Sequence, residues 1–124
     1  MSHFTRVKTE IRDPWALIRA LKTIGYTVAN EEAGTVGSGR RTAPAQVVAV
    51  KGGLRIRFAK SGSSETTYEM GADWGREKER IVGEILQAYA QEKVLTMARE
   101  KGYLVLRNRT VTDGRVEILL RKAS

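Results

Sequence analysis

Gln46-Val47-Val48-Ala49-Val50-Lys51-Gly52-Gly53-Leu54-Arg55-Ile56-Arg57-Phe58, residues 46–58, decides the fold class. The run from Gln46 to Val50 is almost continuously apolar and reads as a strand. After Gly52-Gly53 the pattern alternates sharply. Leu54, Ile56 and Phe58 fall on one face and Arg55 and Arg57 on the other, the period of a strand with one face on a core. The glycine pair supplies the positive φ values that a two-residue hairpin turn requires. An antiparallel hairpin therefore lies at the centre of the chain.

Upstream, Asn30 to Ala45 is a polar stretch holding Gly34, Gly37, Gly39, Arg40, Arg41 and Pro44, which predicts a flexible Gly/Arg loop at about 30–45. Before it, Asp13 is placed to cap a helix and Pro14 suits its first position, where the missing N–H has no partner to lose. Leu17, Ile18, Leu21 and Ile24 form one apolar stripe at helical spacing, Trp15 packs near the helix start, and Gly25 is placed to end the helix. Phe4 to Ile11 alternates as a strand, with Val7, Thr9 and Ile11 opposite Arg6, Lys8 and Glu10, and Tyr26 to Val28 reads as a short return strand.

Downstream, a turn at Ser61 to Ser64 leads to a strand over Thr67 to Met70, with Tyr68 and Met70 on one side. Asp73 is placed to cap a long helix from about Arg76 to Lys101, stopped by Gly102. Its expected buried stripe is Ile81, Val82, Ile85, Leu86, Tyr89, Val94, Met97 and Ala98. A last hairpin pairs Tyr103–Arg109 with Val116–Arg121 around Asp113-Gly114. The order strand, helix, strands, helix, strands predicts an α+β domain over 1–124: a mostly antiparallel sheet of about five to seven strands, with two helices on one face.

Composition bounds the function. A chain of 124 residues can bury a core without staples, and it contains no cysteine, so disulfides and thiolate metal sites are excluded. The N-terminus lacks the apolar core of a signal peptide, and no apolar run approaches the ~20 residues of a membrane span, so a cytoplasmic protein is expected. With 22 basic and 14 acidic residues the net charge is +8. That excess suits an acidic partner, and equally suits solubility alone.

No residues assemble into a catalytic or metal-binding signature, so no enzyme activity and no cofactor are expected. His3 is the only histidine and has no apparent base or metal-ligand partner. The segment Gly34 to Thr42 resembles a phosphate loop in its glycines, and Gly37, Gly39, Arg40 and Arg41 are its anion-binding candidates. It lacks the Gly-Lys-Ser/Thr ending and precedes a strand rather than a helix, so a simple loop is the competing reading.

The basic residues carry the sharper signal. Lys51, Arg55, Arg57 and Lys60 occur with no acid between Val47 and Lys60, and the last hairpin adds Arg107 and Arg109. Lys51, Arg55, Arg57, Arg107 and Arg109 form a candidate surface for phosphates or an acidic partner. The alternative is that arginines decorate a solvent-facing sheet and suppress edge pairing. Two Phe, two Trp and four Tyr do not make an aromatic-rich RNA-recognition sheet. Two function classes follow: a non-enzymatic accessory protein acting by protein–protein contacts, or a nucleic-acid-binding module on a basic face. Anion or nucleotide binding at Gly34–Thr42 is a third.

Several segments carry a resemblance. Met1-Ser2-His3-Phe4 with Thr9, Ile11 and the helix around Leu21, then Ala45-Gln46-Val47-Val48, Tyr68-Glu69-Met70-Gly71-Ala72-Asp73, and Tyr89 through Gly102-Tyr103 to Asp113-Gly114 resemble the hypothetical chloroplast open reading frame thirty-five family. That is an uncharacterised domain of plastids, cyanobacteria and other bacteria. The resemblance spans nearly the whole chain and implies an accessory role, with an AAA-type ATPase or a small companion protein as partner. The arginine-rich glycine loop and the Arg121-Lys122 ending depart from the family pattern.

Overall fold

A computed structural model describes residues 4–29, 46–60, 67–110 and 116–122. The elements are β1 (Phe4–Lys8), α1 (Pro14–Thr23), β2 (Thr27–Ala29), β3 (Gln46–Lys51), β4 (Leu54–Lys60), β5 (Tyr68–Asp73), a 3-10 turn (Gly75–Glu77), α2 (Lys78–Glu100), β6 (Tyr103–Thr110) and β7 (Val116–Lys122). The Gly/Arg loop at about 30–45, the turn at Ser61–Ser64 and the Asp113-Gly114 turn lie outside the described residues.

The central hairpin forms as its sequence predicts. β3 and β4 pair antiparallel from Lys51 opposite Leu54 to Gln46 opposite Ala59. Gly52 and Gly53 take φ of 55° and 84° between them, values that cost an L residue with a Cβ but not glycine. The hairpin anchors a five-stranded antiparallel sheet in the order β1-β5-β4-β3-β2. β6 and β7 form a separate two-stranded sheet, so the last hairpin does not extend the main one.

Strand parity divides the main sheet into two faces. Val47, Ala49, Ile56, Phe58, Tyr68, Met70 and Ala72 form a buried cluster with Leu17, Ile18 and Leu21 of α1 and Ile81 and Ile85 of α2. Both helices therefore cover the same face. Leu17, Leu21, Ile56, Phe58, Met70 and Ile85 are fully buried, and each such side chain contributes about 1.5–3 kcal/mol of transfer free energy. The buried Tyr68 ring pushes its hydroxyl pKa upward, through desolvation first and then the charge of Asp13.

The first helix begins where the sequence places it. Asp13 Oδ1 accepts from the Trp15 N–H at 3.0 Å and the Ala16 N–H at 3.1 Å. Pro14 occupies the first helical position, and Trp15 is half-buried against the core. Tyr89 Oη of α2 lies 3.2 Å from Arg12 N and 3.1 Å from Asp13 N, accepting from both N–H groups. The long helix thus fixes the approach to the short one.

Three details differ from the sequence reading. β1 ends at Lys8 rather than Ile11, because Thr9 replaces the ladder with its own side chain. Its hydroxyl donates to Tyr68 O at 2.6 Å and accepts from Ile11 N at 3.0 Å. The chain then turns and delivers Ile11 to the core at 1% exposure.

Asp73 closes β5, on the strand side of the 3-10 turn, so it does not cap α2. The cap position is Glu77, which makes no capping bond and instead grips Arg80 at 2.7 Å. Finally, Leu86 and Met97 are exposed rather than buried. α2 has 23 residues, roughly 34 Å at 1.5 Å per residue, whereas α1 has only 10. The C-terminal part of α2 is accompanied instead by β6 and β7, with a hydrogen bond from Gln91 to Asn108 marking the contact. That narrow ribbon covers less than a full layer would.

Candidate functional site

The face of the main sheet away from the helices is built from the alternate residues of each strand. On β4 these are Arg55 and Arg57, both exposed, as the alternation predicts. Pairing adds β1 to them. Arg57 lies opposite Gly71 of β5, and Gly71 lies opposite Arg6 of β1. Arg6 and Arg57 therefore flank a strand that carries no side chain between them. At about 4.8 Å per strand their backbones are about 10 Å apart.

Gly71 has a specific reason to be glycine. A Cβ there would sit 2.5 Å from Phe4 Cζ and 2.8 Å from Cε1. The Phe4 ring therefore lies against the bare backbone of Gly71, and the residue remains 56% exposed. Phe4, Arg6, Gly71, Arg57, Gln46 and Glu69 border a concavity of about 310 Å³ on this face.

Charge on this face is unbalanced. Arg6, Lys8, Arg55 and Arg57 share it with the carboxylates of Glu69 and Asp73. Among the described residues none of those four cations is in an ion pair, whereas Arg19, Arg80, Arg99, Arg107 and Arg109 each are.

The other sequence candidates go elsewhere. Lys51 has helix-face parity: its Nζ donates to Ile24 O at the end of α1 at 2.8 Å and sits 5.3 Å from the Tyr26 ring centroid. It satisfies a terminal helix carbonyl rather than joining the arginines. Arg107 and Arg109 are on β6, in the other sheet, and both approach Glu117, at 3.9 and 3.0 Å. The predicted five-residue surface is thus divided among three places. Arg55 and Arg57 alone stay together, and Phe4, Arg6 and Lys8 join them. Gly37, Gly39, Arg40 and Arg41 lie outside the described residues, as does His3.

A second cleft, about 510 Å³, runs between the β3–β4 turn and the start of α2. Its Arg80 is clamped by Glu77 at 2.7 Å and Glu84 at 2.8 Å. Arg80's hydrogen bonds and charge hold the Glu77 carboxyl below its ordinary pKa. The charge there is internally satisfied, which leaves little for an ionic ligand.

The ribbon shows a different chemistry. Tyr103, Leu104, Val105 and Leu106 are consecutive and 37–52% exposed, and Leu119 on β7 is 47% exposed. A bulge between Val105 and Arg107 interrupts the register at Leu106. Ile118 and Leu120 are half-buried.

Among the described residues no three His, Cys, Asp or Glu side chains are grouped to hold a metal ion, and no helix is long and apolar enough to cross a membrane. No curated protein and no solved structure matches the chain. The sequence profile of a family described as a protein of unknown function, DUF1257, matches residues 20–119, from the last turn of α1 into β7, most of the chain; the chain belongs to that family.

Proposed function

We propose that this protein is a non-enzymatic accessory protein that works by protein–protein contact, through β6–β7 and the adjoining part of α2. The observation that carries this reading is the run Tyr103 to Leu106, four apolar residues in succession left 37–52% exposed on a ribbon outside the main sheet. Single exposed apolar residues are ordinary, whereas several together on a two-stranded ribbon outside the main sheet mark an element that a partner covers. Arg107 and Arg109 beside it, both drawn to Glu117, supply a polar rim to that apolar run. The finer resemblance to the chloroplast open reading frame thirty-five group belongs to this proposal, with an AAA-type ATPase or a small companion protein as the partner it implies.

The test places a photo-cross-linking amino acid at Leu106, and at Lys22 as a control, in the native host. Discrete adducts to a particular protein from position 106 alone are expected. Equal labelling from both positions, or none from Leu106, overturns the reading.

A further inference from the structure

The basic face of the sheet lies opposite the helix layer that carries the ribbon, and its properties are not those of a protein-docking surface. It combines an exposed aromatic ring with cations that have no carboxylate partner among the described residues. We infer that Phe4, Arg6, Arg55 and Arg57 form a binding site for single-stranded nucleic acid, with a base stacked on the Phe4 ring and phosphates held by the arginines.

Three observations converge on that ligand. The first is charge. Arg6, Arg55 and Arg57 are unpaired among the described residues, while Arg19, Arg80, Arg99, Arg107 and Arg109 have carboxylates at 2.7–3.9 Å. Guanidinium groups left without an internal acid are those an external phosphate can engage in the bidentate way.

The second is the ring. Phe4 rests on Gly71 with more than half of its surface open, at 56%. A side chain at position 71 would push it off the sheet, since the Cβ would fall 2.5 Å from Cζ. An acidic peptide would use the arginines and leave the ring idle. A duplex would present phosphates and hide its bases. An unstacked base uses both features, by π-face stacking and by the charge beside it.

The third is spacing. Arg55 and Arg57 are two residues apart on one strand, about 6.6 Å, the scale of successive phosphates on an extended strand. The concavity of about 310 Å³ beside the ring is at the lower end of small-ligand pockets and is of the order of one nucleotide.

The inference stands independently of the ribbon reading, since the two surfaces lie on different sheets. It differs from the simple basic-ribbon alternative in what it excludes: Lys51, Arg107 and Arg109 take no part.

Fluorescence anisotropy with labelled oligo-dT and oligo-U, measured across a salt series, tests it in the full chain. Binding should weaken with salt at a log–log slope of about −2, as three phosphate contacts on a single strand imply. Phe4→Leu keeps an apolar group over Gly71 but removes the π-face, and should weaken binding roughly 5- to 150-fold, whereas Phe4→Tyr should retain it. Arg6→Glu/Arg57→Glu should abolish measurable binding, and Arg107→Glu/Arg109→Glu should leave it unchanged. Thermal unfolding of each variant separates lost binding from lost folding. The inference is overturned if no oligonucleotide binds at low salt, if Phe4→Leu binds as the parent does, if the ribbon variant is the one that fails, or if duplex or a free mononucleotide binds as well as the strand.

Discussion

Replacing Asp13 with alanine attacks the junction where three elements meet. The carboxylate satisfies the Trp15 and Ala16 N–H groups at 3.0 and 3.1 Å through one oxygen and meets Lys93 Nζ of α2 at 3.2 Å through the other. Loss of an N-cap acceptor costs about 0.5–2 kcal/mol, and an ion pair this open adds no more than about 1 kcal/mol. Asp13→Ala should therefore destabilise by about 1–2.5 kcal/mol. In a chain of this length that lowers Tm by roughly 3–12 °C. Urea unfolding followed by circular dichroism reads the change as a shift in midpoint at constant slope. Asp13→Asn keeps a cap acceptor of equal rank and removes the charge, so it should lose less than half as much at pH 7.

The pH dependence has a definite sign. Partial burial raises the Asp13 pKa, but hydrogen bonds from Ala16, Lys93 and Trp15 and the Lys93 charge outweigh it, and the net displacement is below 3.8. A carboxyl lowered on folding contributes stability that is fully present well above its unfolded value. That contribution fades as the pH falls through about 3.8 and is gone below the folded value. Parent and Asp13→Asn should therefore converge in stability toward pH 2 and separate at pH 7. An Asp13→Ala variant within about 0.3 kcal/mol of the parent at pH 7, or a parent-to-Asp13→Asn gap that widens on acidification, would refute this account of the junction.

Three further outcomes are expected. Ile85→Ala empties a fully buried position between helix and sheet and should cost about 2–5 kcal/mol by chemical denaturation, depending on how far the cavity collapses. Tyr89→Phe removes the shared acceptor of the Arg12 and Asp13 N–H groups; about 1 kcal/mol is expected in urea unfolding, because water reaches part of this site. Gly102→Ala forces a residue with a Cβ into φ +78° at the end of α2, and should cost about 1 kcal/mol although no neighbour obstructs the methyl.

Much of this architecture was legible along the chain, because it rests on local chemistry. Gly52-Gly53 between two runs of different periodicity can be little other than a hairpin turn. Asp13-Pro14 marks a helix start, since one residue accepts the orphan N–H groups and the other has none to offer. Parity alone put Arg55 and Arg57 on the same face and Ile56 and Phe58 on the other. The long helix was visible too, but its buried stripe was over-extended to Leu86 and Met97, because periodicity shows which residues share a side and not how far a neighbouring layer reaches.

The candidate site was legible only in part, for a related reason. The alternation of β1 sets Arg6 and Lys8 on one side, but nothing local says that β1 pairs with β5 rather than with β4 or β2. That pairing joins positions 4–8 to 69–73, and it alone brings Phe4 to Gly71 and Arg6 across from Arg57. The sequence likewise shows cations at Lys51, Arg107 and Arg109 without showing what they meet. Lys51 is taken by a helix carbonyl and the other two by Glu117. By itself, then, the sequence determined the elements, their faces and the net charge, all of which depend on neighbours within a few residues. Tertiary structure decided which cations remain free to bind, because that depends on contacts between positions tens of residues apart.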